Sequence, residues 1–159
     1  MEKKDDIYFL KMAIELAAEN VKTGKGGPFG AVIVKNGEVI ATGVNLVTNN
    51  NDPTAHAEIT AIREATSKLN NFQLDGCTLY SSCEPCPMCL GAIYWARPER
   101  IVFASSKNDA ADVGFDDAFI YDEIALPIEE RKLKTSFIKP ENYLLPFNLW
   151  KVSDKKEEY

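Results

Sequence analysis

The sequence predicts a three-layer α/β/α fold with a mixed central sheet and helices on both faces. Three observations carry this. A helical periodicity opens the chain, a strong hairpin signal comes second, and then helix, strand, helix and strand alternate. A hairpin is antiparallel, whereas the last strand, helix and strand have the length of a parallel crossover, so the sheet is mixed. Elements alternating in this way bury a sheet between helical layers.

Each element has a local reason. Ile7, Leu10, Ile14, Ala17, Ala18 and Val21 recur at helical spacing and predict an amphipathic helix over residues 5–22. Gly24-Lys25-Gly26-Gly27-Pro28 stops it. A glycine-rich loop can cradle phosphate, but no P-loop lysine and serine come after it, which leaves a helix stop and turn. Phe29–Lys35 and Glu38–Val44 flank Asn36-Gly37 and read as a hairpin. Asn45 leaves the second strand on the way to His56, a place from which it can face a pocket; Asn49, Asn50 and Asn51 read as loop asparagines.

Asp52-Pro53 predicts the start of a helix over residues 53–69, with Asp52 as N-cap and Pro53 first inside. Ile59, Ile62, Ala65 and Leu69 form its buried stripe. Residues 76–81 read as a strand in which Cys77 is a small buried hydrophobe. Residues 87–96 read as a second helix, with Pro87 at its start and Leu90, Ile93 and Tyr94 turned inward. Residues 100–104 are the next strand. After Ser105 the pattern breaks up. Gly114–Tyr121 mixes aromatics with paired acids and reads poorly as core, and Pro127, Pro140 and Pro146 punctuate the remainder of the chain. A last helix starts at Pro146-Phe147-Asn148-Leu149-Trp150, before a charged, fraying tail over residues 154–159. No repeat, low-complexity segment or interdomain linker interrupts the chain.

Composition narrows the function. The chain has 159 residues, enough for one domain with a proper core. Its 45% hydrophobic and 26% charged residues are ordinary for a globular protein. The net charge is −6. Grip on phosphates asks for a basic face, so nucleic acid is disfavoured and a small, weakly charged substrate favoured. All but one of the cysteines fall within Cys83–Cys89, which suits a metal site in a reducing compartment, the cytoplasm, and not a disulfide framework. Met1-Glu2-Lys3-Lys4-Asp5-Asp6 does not read as a signal peptide, and no apolar run spans a membrane.

The chemistry concentrates in Cys83-Glu84-Pro85-Cys86-Pro87-Met88-Cys89 and Thr54-Ala55-His56-Ala57-Glu58. A helix starting at Pro87 puts the Cys86 and Cys89 thiolates on one side of its first turn. His56 is the only histidine in the chain. One imidazole and two thiolates favour Zn²⁺ and leave a fourth tetrahedral position for water, the catalytic arrangement. Glu58, two residues from a ligand, is placed to move the proton that such chemistry requires. Two blander readings compete. A C-x-x-C pair is often a redox or structural element. Cys83, Cys86, Cys89 and His56 could also close a four-ligand structural site, but then Glu58 would have no role.

His56-Ala57-Glu58 with Pro85-Cys86-Pro87-Met88-Cys89 is the signature of zinc-dependent nucleobase deaminases. The chain resembles the cytidine-deaminase-like superfamily over nearly its whole length. Within it, Gly26–Ala31, Asn51–Glu58, Cys89–Ala96, Gly114–Asp117 and the closing Tyr159 look like those of bacterial guanine deaminases. The resemblance implies one zinc per subunit on His56, Cys86 and Cys89, with Glu58 as proton shuttle and Asp117 as second proton carrier. It implies purine contacts from Asn45 and Ala57, walls from Phe29 and Trp95, and Tyr159 closing a partner's pocket. It implies a single domain over 1–159 in a homodimer, with residues 115–159 exchanged between subunits. Guanosine deamination, tRNA adenosine deamination and a non-catalytic zinc module remain as alternatives, and Phe29 and Trp95 also read as plain packing aromatics.

Overall fold

The computed structural model describes residues 4–159. Met1, Glu2 and Lys3, half of the N-terminal stretch that does not read as a signal peptide, lie outside the described residues. The chain divides into two compact units, Met1–Asp117 and Ala118–Tyr159.

The first unit is built on a four-stranded sheet of order β2-β1-β3-β4, with β1 Gly30–Lys35, β2 Glu38–Val44, β3 Cys77–Cys83 and β4 Arg100–Ser105. β1 is antiparallel to β2 and to β3, and β3 is parallel to β4, which is the mixed sheet expected. Side chains alternate along β1, so it feeds two cores. Val32 and Val34 meet Tyr80 and the helix α1, Asp6–Lys22, through Phe9 and Ala13. Ala31 and Ile33 face the other way, toward Leu79, toward Ala57, Ala61 and Ala65 of α3 (Ala57–Leu69), and toward Ile93 of α4 (Pro87–Ala96). The short helices α2 (Val47–Asn50) and α5 (Lys107–Asp112) complete the unit.

Glycine sets how closely the layers approach. A Cβ on Gly30 would stand 2.8 Å from Ala17 N and closer still to Ala13 O. One on Gly43 would stand 2.5 Å from Ala61 N and closer to Ala57 O. Each helix backbone therefore lies directly on a strand backbone, with alanines at the contact. This corrects the predicted face of α1. Its inner face is Phe9, Ala13, Ala17 and Asn20, while Ile7, Ile14 and Val21 are exposed. The close approach demands small side chains, and a hydrophobicity pattern ranks the large ones first.

Three further expectations shift. β2 carries a bulge opposite Ile33 and Val34, where Ile40 is the extra residue, and Lys68 Nζ donates to its carbonyl at 3.0 Å. α3 starts at Ala57 and not at Pro53. The Asp52 carboxylate accepts from Thr54 N and Oγ1 at 2.8 and 2.7 Å, so it closes a turn of its own and His56 becomes the N-cap. Tyr94 is 75% exposed and does not turn inward.

The second unit, described by itself, holds α6 (Ala118–Ala125), a 3₁₀ turn over Ile128–Glu130 and α7 (Leu145–Val152), the last helix expected. None of its residues is buried.

Candidate active site

Three chain ends converge at one edge of the first unit. β3 finishes with Ser81, Ser82 and Cys83, and α3 and α4 begin beside it. Both helices begin the same way. His56 is the N-cap of α3 at φ −68°, ψ 161°, and Cys86 is the N-cap of α4 at φ −66°, ψ 168°. An N-cap residue is extended, so its side chain stands clear of the helix beside unpaired N–H groups and the positive end of the dipole. Pro87 fixes the first φ of α4, and Cys86 Sγ accepts from Cys89 N at 3.5 Å. Cys89, one turn on, points back to the same place.

His56 Nδ1 lies 3.5 Å from Cys86 Sγ and 3.4 Å from Cys89 Sγ. The three donor atoms lie within 4.8 Å of one another. Tetrahedral zinc bonds of about 2.0–2.1 Å to nitrogen and 2.3 Å to sulfur imply a nitrogen–sulfur edge of about 3.5 Å. The triangle therefore fits zinc in both donor type and dimension. Without metal, the hydrogen bond from Cys89 holds the Cys86 thiol down at about 4, with His56 reinforcing it. Cys89, the donor of that bond, is pushed up. His56 is raised, chiefly by its contact with Cys86. Cys83 stays outside the group. Its Sγ reaches Ser106 O at 3.6 Å, and burial pushes its thiol up to about 11. The four-ligand closed site is thus not assembled.

Glu58, in the first turn of α3, is 6% exposed. Its carboxylate accepts from Ser81 Oγ at 3.4 Å and from Cys89 Sγ at 3.5 Å. Burial raises its pKa, and the neighbouring Cys86 charge adds to the shift. Such a carboxyl takes up a proton more readily than an exposed one.

A cavity of about 640 Å³ opens over this group, within the range of small-molecule sites. It gathers Phe29, Asn45, His56, Glu58, Cys86 and Asp117 from the residues predicted by sequence. Phe29 packs edge-on against Phe115, with ring centres 5.0 Å apart. Asn45 Oδ1 accepts from Gly27 N and Val47 N, both at 3.3 Å. No partner of its Nδ2 is seen among the described residues. Burial raises the Asp117 carboxyl, Cys86 adds to this, and Lys107 opposes it.

Beyond its two metal motifs, the chain matches a whole family pattern. The cytidine and deoxycytidylate deaminase zinc-binding region matches residues 3–105. The chain belongs to this zinc deaminase family. It is 58% identical to guanine deaminase of Bacillus subtilis over 151 residues, 95% of this chain and 97% of that one. The crystal structure of guanine deaminase from Bacillus subtilis superposes with a TM-score of 0.96 at 56% identity, covering 98% and 99% of the two chains. A tRNA-specific adenosine deaminase of Buchnera aphidicola is 39% identical over 134 residues, 84% and 85% of the two chains.

Zinc is the metal of this family, and His56, Cys86 and Cys89 are positioned to hold it. Two predicted residues of the deaminase lie off the cavity wall. Ala57, the first residue of α3, is fully buried in the core, and Trp95 is 63% exposed near the far end of α4. Tyr159 belongs to the second unit and is exposed. Sequence reasoning missed Glu84, Lys107 and Phe115 on the cavity wall. It also missed Asn20, whose signal was present: a polar residue in register with Ala13 and Ala17 on the inner face of α1.

Proposed function

We infer that the protein is a guanine deaminase, a zinc-dependent hydrolase that converts guanine and water to xanthine and ammonia. The likeness to a guanine deaminase along almost the whole chain carries the choice of substrate. The chemistry rests on a buried carboxyl beside a zinc-shaped triangle of donors. Bound zinc supplies a Lewis acid and activates water for attack at C2.

The chain's own residues supply the rest. Glu58 accepts the proton that the attacking water gives up and hands it to the adjacent ring nitrogen as C2 becomes tetrahedral. Ser81, donating to Oε1, holds the carboxyl toward the cavity. The hydroxyl proton then passes to the amino group, which leaves as ammonia. Asp117, raised by burial, is the second carrier on that side. Asn45 offers its Nδ2 to an acceptor on the purine edge, and Phe29 walls the ring. Ala57 contributes through its backbone at the start of α3. Trp95, which is off the cavity of its own chain, joins the wall of a site only through subunit exchange, and Tyr159 closes a partner's pocket in the same way.

The cavity wall carries Glu58, Glu84, Asp116 and Asp117, and among the described residues Lys107 is its only lysine or arginine. That balance favours a neutral flat base over an RNA loop, whose phosphates ask for cations. The cavity is far roomier than one base fills, which favours guanosine as the second reading and leaves space for a lid. We further propose a cytoplasmic homodimer in which the segment from residue 115 onward is exchanged between subunits of a single 1–159 domain. The exposed Leu133, Phe137, Ile138, Phe147, Leu149 and Val152 support this, because so much apolar surface seeks a partner. Among the described residues no helix is long and apolar enough to cross a membrane.

Ammonia release from guanine, guanosine, cytosine and an adenosine-containing anticodon stem-loop tests the substrate. Guanine is expected to be the best; turnover confined to the stem-loop would overturn the reading. Deleting Lys155–Tyr159 is expected to lower guanine turnover with zinc content unaltered, and a fully active truncation rules out the lid.

A further inference from the structure

Asn20 is 3% exposed and lies on the inner face of α1, where the neighbouring inward residues are Ala13 and Ala17. Its Nδ2 donates to Gly27 O at 2.9 Å and to Asn45 O at 2.8 Å. Both partners are carbonyls, so only the nitrogen can face them and the orientation of the amide is fixed. Its Oδ1 is buried without a partner among the described residues. That orphaned acceptor is a standing cost, and it marks the two Nδ2 bonds as what the residue is kept for.

Those bonds end on the cavity wall. Gly27 is gripped from both sides: its carbonyl by Asn20, and its N–H by Asn45 Oδ1. A Cβ on Gly26 would stand 3.0 Å from Asn45 C and closer to its O, so this loop lies directly on Asn45. With Asn45 Oδ1 committed to Gly27 and Val47, the amide can turn only its Nδ2 to the cavity.

We propose that Asn20 is a positioning residue for purine recognition: it ties the Gly26-Gly27 loop to Asn45 and thereby aims the Asn45 amide at the substrate. The inference rests on the reading that Asn45 meets the purine. A donor held by two layers of hydrogen bonds loses little freedom when the base arrives, and that preorganisation appears as affinity.

Steady-state kinetics with guanine on the zinc-loaded full chain tests it, for Asn20→Ala, Asn20→Asp, Asn45→Ala and the double variant. Amide exchange of Gly27 and Val47 is measured in parallel. Asn20→Ala and Asn20→Asp are expected to raise KM about tenfold, the size of one lost substrate hydrogen bond, with kcat little changed and zinc content full. The double variant Asn20→Ala/Asn45→Ala is expected to be no worse than Asn45→Ala, because both act through one amide. Gly26→Ala, which presses on Asn45 from the loop side, reproduces the KM rise if the Asn20 variants fold poorly. Additive losses, or a fall in kcat at unchanged KM, would make Asn20 merely structural and overturn the proposal. If Asn45→Ala leaves KM unchanged, the purine-facing role of Asn45 fails and the recognition role of Asn20 falls with it. Unaltered exchange of Gly27 and Val47 in Asn20→Ala overturns the anchor itself, whatever Asn45 does.

Discussion

The two helix starts that build the metal site have nearly the same N-cap dihedrals and differ in what holds them. At α4, Pro87 presets the first turn and Cys86 caps it through its own sulfur. At α3, His56 occupies the same N-cap position with almost the same dihedrals, yet makes no side-chain cap bond; its Nδ1 is turned to the two sulfurs. One start is set by local signals. The other depends on tertiary contacts: the sulfur triangle in front, and Gly43 beneath Ala57 and Ala61 behind. The difference separates a scaffold helix from a working helix, for the proton-moving residue sits on α3.

The largest expected effect breaks the site on the α3 side. Glu58→Gln keeps shape and volume but cannot take up a proton. Turnover of guanine is expected to fall by about a thousandfold, as for loss of a general acid–base group. Zinc content and thermal midpoint should stay close to wild type. Unchanged turnover in a zinc-replete variant would remove Glu58 from the mechanism.

Metal removal sharpens the comparison next. Chelation leaves α4 with Pro87 and its sulfur cap, and leaves α3 with no cap at all. Amides in the first turn of α3, at Ala57 and Glu58, are expected to lose more exchange protection than those at Met88 and Cys89. Equal loss at both helices would mean that the two starts are held alike. Beneath the same helix, Gly43→Ala should cost about 3 kcal/mol or more, since backbone atoms of α3 must move away from the strand. Denaturant midpoints measure this, and the loosened His56 should also lower zinc affinity.

The same contrast explains what the sequence could reveal. The start of α4 is legible because Pro87 is a local signal, and the hairpin is legible through Asn36-Gly37, which takes positive φ at both residues. His56, Cys86 and Cys89 are legible as a donor set because their chemistry depends on residue type and spacing alone. The start of α3 is misread because Asp52-Pro53 carries the local signal of a cap while Asp52 spends its carboxylate on Thr54. The inner face of α1 is misread because contact with Gly30 selects alanine over isoleucine, a constraint that lives in another element. α5 was readable in principle: Ser106 and Asp109 form a reciprocal capping box that the expected breakdown after Ser105 passed over. Asn20 was legible only as a polar residue in register with Ala13 and Ala17; its bonds to Gly27 and Asn45, like the exposure of Trp95, are tertiary facts.

The smallest effect asks whether Asp52 is really outside α3. Its carboxyl is held below the usual range, first by the Thr54 hydroxyl and then by the Thr54 N–H. A folded-state pKa below the unfolded one gives stability that is present above about pH 4 and lost as pH falls through the folded value. Asp52→Asn keeps an acceptor for Thr54 but no charge, so wild type should hold a slight advantage at neutral pH that closes in acid. Taking the difference between the two proteins at each pH cancels the titration of the zinc ligands, which both share. At neutral pH the first-turn amides of α3 should exchange alike in both. Faster exchange there in Asp52→Asn would show that Asp52 does support the start of α3, and that the two helices differ less than their caps suggest.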